Sequence, residues 1–581
     1  MKRTALTLAL SGLLFSASAF SEQAADQVAP EGATGFQHNA QVTGKDWMIA
    51  TANPYASDAG AAMLAKGGNA IDAMIAAQLV LGLTEPQSSG LGGGAFLVYW
   101  DSEKDALTTF DGRETAPAEV TPQLFQDDQG QPLAFYDAVV GGRSVGTPGT
   151  VKLLWHTHQR LGKLPWKDLF EPALTLARDG FTVSPRLAQL VQEDSERLQR
   201  FPATQAYFYP NGQPLQAGAT LKNPAYADTL QQIAERGASA FYHGDIAKDI
   251  VKTVREASGN PGVLNTMDLA TYRVKERPAV CAPYRQYDVC GMGPPSSGAL
   301  TLGQILGMLS HYPMKELGPN KALSWHLIGD ASRLAFADRG RYMADSDFVP
   351  MPTEGLLDKN YLQQRASLLK SNQALKEVSA GLPPWSHAMN YGKDNAIELP
   401  STSHLVVVDK DRNMISMTTT IENGFGSRLM VRGFLLNNEL TDFSFSTHDN
   451  GMPIANRVEP GKRPRSSMAP TIVLKDGKPV LAIGSPGGSQ IIGYVAKTLV
   501  AHLDWGLSLQ QAVDLPNMNN RFGPFELEQG TAAERWAPEL EKLGFDVQIK
   551  PLNSGVQAIG IFRGQLNGAA DPRREGKVVA Q

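Results

Sequence analysis

The run Ser401-Thr402-Ser403-His404 draws attention because a stretch without periodicity ends there and an apolar run, Leu405 to Val408, begins. A hydroxyl held at the start of a buried strand can attack the carbonyl of the peptide bond before it. The N-to-O acyl shift breaks the C–N bond, and hydrolysis of the resulting ester frees Thr402 as a new N-terminus. Its α-amine, with an unperturbed pKa of about 7.7–8.0, then serves as base for its own hydroxyl. Taken alone, a hydroxyl residue at a strand start is more often structural.

A second candidate is Gly484-Ser485-Pro486-Gly487-Gly488. The amides of Gly487 and Gly488 fall where strand gives way to helix, and no side chain shields them from a developing oxyanion. Any tight turn would use the same glycines. Other chemistries find less support. No H-E-x-x-H zinc helix is present and no serine nucleophile elbow is read. Gly90-Leu91-Gly92-Gly93-Gly94 lacks the Gly-Lys-Ser/Thr ending of a phosphate-binding loop. His156 and His158 stand too close in sequence to share one helix face, so packing or surface roles fit them better than metal ligation.

The elements that must carry these residues form a layered pattern. A helix is expected from Ser57, whose hydroxyl would cap the amides of Asp58 to Ala61. Gly67-Gly68 interrupts it. Asn69 then caps a helix from Ala70 to about Leu83 that is apolar on nearly every side and so reads as buried. Ala95 to Trp100 is strand-like. Residues 148–370 read as mostly helical, most clearly Asn223 to Arg236 and Lys321 to Tyr342. Residues 371–400 lose periodicity around Pro383-Pro384 and read as an exposed connector. From Thr402 the period changes to that of strands. His404–Val408 and Met414–Thr420 flank a turn, and Thr471–Leu474 and Pro479–Ile483 repeat the plan. A helix to about Leu503 follows the glycine turn. Sheets bordered by helices indicate a layered α/β domain.

The chain opens with Lys2 and Arg3, an apolar run from Ala5 to Phe15 and the small residues Ala17-Ser18-Ala19. That order reads as an export signal, residues 1–19, leaving the mature chain in the periplasm or the medium. The run is too short for a membrane span, which needs roughly 20 residues. Residues 20–45 read as a polar leader. A formal charge of −5 and the lack of a basic run give no sign of nucleic-acid binding. The two cysteines, Cys281 and Cys290, lie where two short strands around a tight turn would oppose them. In an oxidising compartment they either form a disulfide or stay as buried thiols; both readings are open.

The chain resembles the γ-glutamyltransferases (glutathione hydrolases). The matching runs include Gly90-Leu91-Gly92-Gly93-Gly94-Ala95-Phe96, Asp111-Gly112-Arg113-Glu114-Thr115-Ala116-Pro117, Gly146-Thr147-Pro148-Gly149-Thr150 and Pro294-Pro295-Ser296-Ser297-Gly298. Thr402-Ser403-His404, Leu435 to Phe443, Lys462 to Met468 and Gly484 to Ser489 complete the family's order. The resemblance implies a four-layer αββα sandwich of the N-terminal-nucleophile hydrolase type. It implies a cut between Ser401 and Thr402, giving a large subunit 20–401 and a small subunit 402–581. Thr402 would carry a γ-glutamyl ester, resolved by water or by an amino acid or peptide amine, with no metal or organic cofactor.

By position in the matching motifs, Arg113, Ser466 and Ser467 would bind the donor's α-carboxylate, and Glu439 and Asp442 its α-ammonium. Thr420 would hydrogen-bond the nucleophile, and Gly487 and Gly488 would form the oxyanion hole. Glu422 stands where well-known members carry asparagine; a carboxylate there would either strengthen ammonium binding or bind something else, or Asn423 would take the role after a one-residue shift. The segment between Asp442 and Ser466 reads as shorter than in members with a lid, which would let hydrolysis compete with transfer. Two other readings stand beside this one. An acylase resembling the cephalosporin acylases would process glutaryl donors, which lack the α-ammonium, and a non-enzymatic binding protein would keep the scaffold without maturing.

Overall fold

The computed structural model describes residues 39–387, 390–394, 396, 398–399 and 401–581. The expected export signal and most of the leader lie outside the described residues; Val42–Gly44, at the end of the expected flexible leader, is instead a sheet strand, held by pairing with residues 566–568. Two seven-stranded antiparallel sheets form the centre. The first contains β2 (Met48–Thr51), β3 (Gly94–Asp101), β4 (Ala106–Gly112), β5 (Lys275–Arg277), β8 (Ser403–Val408), β9 (Met414–Thr420) and β14 (Lys577–Ala580). Their order is β14-β2-β8-β9-β3-β4-β5. The second contains β1 (Val42–Gly44), β6 (Val280–Tyr284), β7 (Tyr287–Gly291), β10 (Thr471–Lys475), β11 (Lys478–Gly484), β12 (Gln557–Phe562) and β13 (Gln565–Ala570). Its order is β1-β13-β12-β11-β10-β7-β6.

Strand alternation builds the layers. Along β8, Val406 and Val408 face the second sheet and pack with Ile472, Ala482 and Ile559. Leu405 and Val407 point the other way, into a cluster with helices α1 (Pro54–Ala65), α2 (Ala70–Thr84) and α3 (Thr150–Leu161). On the far face of the second sheet, Val473, Leu481 and Ile483 meet α4 (Gly298–Leu309), α5 (Ala322–Tyr342) and α6 (Ile491–Leu503). Helices outside and two sheets inside give the αββα sandwich.

Several local expectations hold. Asn69 caps α2 with a full capping box, its side chain on the Asp72 amide and the Asp72 carboxylate on the Asn69 amide. Both hairpins of the C-terminal third form. Cys281 and Cys290 oppose one another across the β6–β7 hairpin and form a disulfide.

Two further expectations need correction. α1 starts at Pro54, capped by Asn53, not at Ser57; a proline at the first helical position needs no amide partner and presets φ. Ser57 lies inside the helix, where its hydroxyl bonds Thr51 and the Lys577 carbonyl. The connector 371–400 is exposed only in part. Asp394, Glu398 and Leu399 are buried, because the chain must run inward to reach β8 and meets cationic partners there.

Candidate functional site

The site forms where β8 begins, β9 ends and the turn after β11 meets both. Thr402 immediately precedes β8 and is almost fully buried. Its φ of 99° is unusual for a β-branched residue and marks backbone strain at this junction. Thr402 Oγ1 lies 3.1 Å from Thr420 Oγ1 at the end of β9. The Thr420 hydroxyl oxygen in turn accepts the Glu422 amide at 2.8 Å. Gly487 donates its N–H to the Ser401 carbonyl oxygen at 3.2 Å. That carbonyl belongs to the Ser401–Thr402 peptide bond. At Gly488 a Cβ would come within 2.5 Å of the Leu399 carbonyl oxygen, so only glycine lets the turn approach the chain ahead of the junction.

The glycines at 90–94 have a comparable reason. A Cβ on Gly93 would lie 2.0 Å from the Thr420 carbonyl oxygen, so this run packs backbone against the end of β9. Ser144 sits in a G-x-S-x-G run, Gly142 to Gly146, but not at a strand-to-helix elbow. It is buried and donates its hydroxyl to the Val139 carbonyl at 2.6 Å.

Charged groups surround the hydroxyl pair. Arg113, just past β4, is buried and donates to Glu439 and, at 2.6 Å, to Asp442. It also donates to the carbonyls of Pro464 and Arg465. Burial works against its charge, but Glu439 and Asp442 more than offset that, and the guanidinium is held cationic. Glu439 and Asp442 share one 3₁₀ turn, Glu439–Asp442. Burial pushes the carboxyls of Glu422, Glu439 and Asp442 well above the usual range, although Arg113 pulls each of them down. Glu114, next to Arg113, is raised to about 7 by burial. Glu422 accepts from Asn438 and faces the cavity, whereas Asn423 uses its amide on Asn438 and does not line it.

Ser466 and Ser467 sit against the start of α4. The Ser466 carbonyl accepts from both the amide and the hydroxyl of Ser297 at 2.8 Å. Ser467 donates its hydroxyl to Glu398 and accepts from Arg339 at 2.7 Å. Arg339, on α5, pairs with Glu398 as well. Arg465 pairs with Asp394 at 3.0 Å and with Glu398 at 3.5 Å. Despite its burial, the Glu398 carboxyl is held below its ordinary range by Arg339 and Arg465. Glu398 and Leu399 thus line the same cavity as Thr402.

One cavity is lined by Arg113, Thr402, Thr420, Glu422, Glu439, Asp442, Ser466, Ser467 and Gly488 together. Gly487 sits directly beside it on the Ser401 carbonyl. The residues singled out in the sequence, spread over almost four hundred positions, thus converge on one place. Sequence reasoning gave no role to Arg339, Glu398 or Glu114. Arg339 looked like the polar position of an amphipathic helix, and Glu398 like part of a solvated connector; only burial distinguishes them.

The sequence profile described as Gamma-glutamyltranspeptidase matches residues 56–581. The chain belongs to this family. It is 38% identical over 548 residues to the glutathione hydrolase proenzyme of Bacillus subtilis (strain 168), covering 92% of both chains. To the glutathione hydrolase proenzyme of Escherichia coli (strain K12) it is 37% identical over 589 residues, covering 99% of this chain and 97% of that one. Among solved structures, the cephalosporin acylase from Bacillus halodurans superposes with a TM-score of 0.83 at 27% identity, covering 95% of this chain and 99% of the acylase. The fold is thus shared with a protein named for a different substrate.

Proposed function

We propose that this member of the family is a γ-glutamyl hydrolase and transferase, acting on glutathione and related γ-glutamyl compounds, and that Thr402 is its nucleophile. Maturation comes first. Thr402 Oγ1 attacks the Ser401 carbonyl carbon, the C–N bond breaks, and the hydroxyl proton passes to the departing nitrogen. Water then hydrolyses the ester, leaving a carboxylate on Ser401 and a free amine on Thr402. The subunits 20–401 and 402–581 stay together, because β8 and β9 are hydrogen-bonded between β2 and β3 in one sheet.

In turnover the α-amine takes the Thr402 hydroxyl proton as Oγ1 attacks the γ-carbonyl of the donor. The Gly487 and Gly488 amides receive the oxyanion. The amine's acquired proton goes to the leaving nitrogen, and the γ-glutamyl ester remains on Thr402. Water or the amine of an amino acid or peptide then resolves it. Arg113, Ser466 and Ser467 hold the donor's α-carboxylate; Glu422, Glu439 and Asp442 hold its α-ammonium. The expected export signal places this activity in the periplasm or the medium.

The observation that carries the reading is the pairing at the junction: the Ser401 carbonyl rests on the Gly487 amide while the Thr402 hydroxyl rests on Thr420. The acylase reading shares the fold, but glutaryl donors would bring no cation to three buried carboxyls that Arg113 alone offsets. Intact mass and N-terminal sequencing of wild type and Thr402→Ala test the first half. Two chains, one starting Thr-Ser-His, are expected from wild type and a single chain from the variant. Rates on γ-glutamyl and glutaryl anilides test the second; a preference for glutaryl would reverse the substrate assignment.

A further inference from the structure

Residues outside the pocket also grip the junction. Glu85 follows α2 directly and is buried. Its Oε2 accepts the Ser403 hydroxyl at 3.0 Å, and its Oε1 has no hydrogen-bond partner among the described residues. Two residues on, the Gln87 carbonyl accepts the Ser401 hydroxyl at 3.1 Å. Arg574, whose charge acts on Glu85, donates to the Thr402 carbonyl at 3.1 Å. Three successive residues, 401 to 403, are thus each tied to a different anchor, and Thr402 between them holds a strained φ. Such a conformation persists only where its surroundings over-determine it. The reaction as derived above makes no use of Glu85.

We propose that Glu85 is a positioning residue for Thr402: through the Ser403 hydroxyl and the charge of Arg574 it fixes the backbone just after the scissile bond. The Thr402 hydroxyl is thereby held against the Ser401 carbonyl during maturation. The proposal rests on Thr402 being the nucleophile. The groups acting on Glu85 are Arg186 and Arg574, which favour its ionised form, Glu575, which opposes it, and the Ser403 hydroxyl. Burial outweighs the two arginines and pushes the Glu85 carboxyl up to about 7. Ionised, Glu85 accepts more strongly from Ser403, and only then does it attract Arg574 by charge. Maturation should therefore quicken as Glu85 loses its proton. The uncut chain has no free α-amine on Thr402, so that group does not contribute to the profile.

The test follows maturation of the full-length chain by mass and by band pattern, between about pH 6 and pH 8, for wild type, Glu85→Gln, Ser403→Ala and Thr402→Ala. Glu85→Gln keeps a neutral acceptor for Ser403 but loses the charge, and is expected to mature about tenfold more slowly at the upper pH, the effect of replacing a charge-assisted hydrogen bond by a neutral one. Its rate should also lack the rise with pH seen in wild type. Ser403→Ala should be slowed in the same direction. Wild-type rate and pH profile in Glu85→Gln would overturn the proposal, and a lowered melting temperature alone would not rescue it, since packing would explain that. If Glu85→Gln does not accumulate folded, Ser403→Ala, which keeps the carboxyl, decides by the same rate. If Thr402→Ala is itself cut at the junction, the nucleophile assignment fails and takes this proposal with it. If Thr402→Ala stays whole while the other variants behave as wild type, only the role of Glu85 is lost.

Discussion

Two clusters of charge border the pocket, and they are balanced in different ways. In one, a single guanidinium, Arg113, meets the carboxyls of Glu439 and Asp442, with Glu114 and Glu422 close enough to act on the same groups. In the other, Arg339 and Arg465 are matched by Glu398 and Asp394. The first has more acid than base, and burial pushes its carboxyls upward. A ligand bringing a cation would let them ionise. The second is already neutralised, but by Glu398 from the stretch just ahead of the junction. Withdrawal of that stretch after cleavage would leave Ser467 and two arginines open to an anion. On the proposed reading a free amino-acid head carries both charges: its ammonium would meet Glu422, Glu439 and Asp442, and its carboxylate would lie between Arg113 and Ser467 once cleavage frees that side.

The severest break of this comparison is to prevent the cut. Thr402→Ala is expected to stay one chain with Glu398 still in place, so neither cluster becomes available. Donor hydrolysis should fall by at least about 10⁴-fold, in the range found when a nucleophile is removed. A chromogenic γ-glutamyl donor and intact mass check this together. Next in size is Asp442→Ala, which leaves Arg113 with one carboxylate partner. Breaking a buried pair costs about 3–5 kcal/mol, so kcat/KM for γ-glutamyl donors should drop by about 10²–10⁴-fold. A loss of less than tenfold would remove Asp442 from the binding set.

The surplus of acid should also be visible in stability. Glu114 has an ordinary carboxyl value of 4.5 when exposed and about 7 in the fold, because burial penalises its charge. Between those values the folded chain holds a proton that the unfolded chain gives up. Unfolding then releases the proton, so this group's contribution falls as pH rises. Below about pH 4.5 both states are protonated and nothing is lost; above about pH 7 the whole penalty, on the order of 3 kcal/mol at most, is present. Glu114→Gln cannot ionise. Its unfolding free energy relative to wild type should improve from pH 5 to pH 8, read by denaturant titration at each pH. Parallel curves would show that Glu114 does not take part in the surplus.

Much of this was legible in the sequence, and the misses at the site share one cause. The strand-like runs 404–408 and 414–420 located the hairpin, and both faces of each strand are buried. Ordered family motifs identified Arg113, Thr402, Glu439 and Asp442, which no periodicity would reveal. By contrast, Glu85, Arg339 and Glu398 are charged residues whose surroundings in sequence look solvated or merely helical. Their partners lie far along the chain, Arg465 for Glu398 and Ser403 for Glu85. Pairings of that kind come only from tertiary packing. The start of α1 was misplaced for a smaller reason: two capping residues, Asn53 and Ser57, compete within one turn, and Pro54 settles the choice.

The smallest of the expected effects is the most discriminating, because it separates two members of the same fold class. Glu422→Gln removes one carboxyl from the acid-rich cluster but keeps the shape and the hydrogen bond from Asn438. Donors with an α-ammonium should lose about tenfold in kcat/KM, the contribution of one hydrogen bond between charged groups. Glutaryl donors present no ammonium to that carboxyl and should be unchanged or slightly improved, since a buried acid beside their apolar carbon is removed. The quantity to measure is the ratio of the two rates on matched anilides in wild type and variant. If the ratio does not move, Glu422 lines the cavity without reading the donor, and discrimination falls to Glu439 and Asp442 alone. A fall of the expected size would mean that the carboxylate found here in place of asparagine tightens selection for a free amino group.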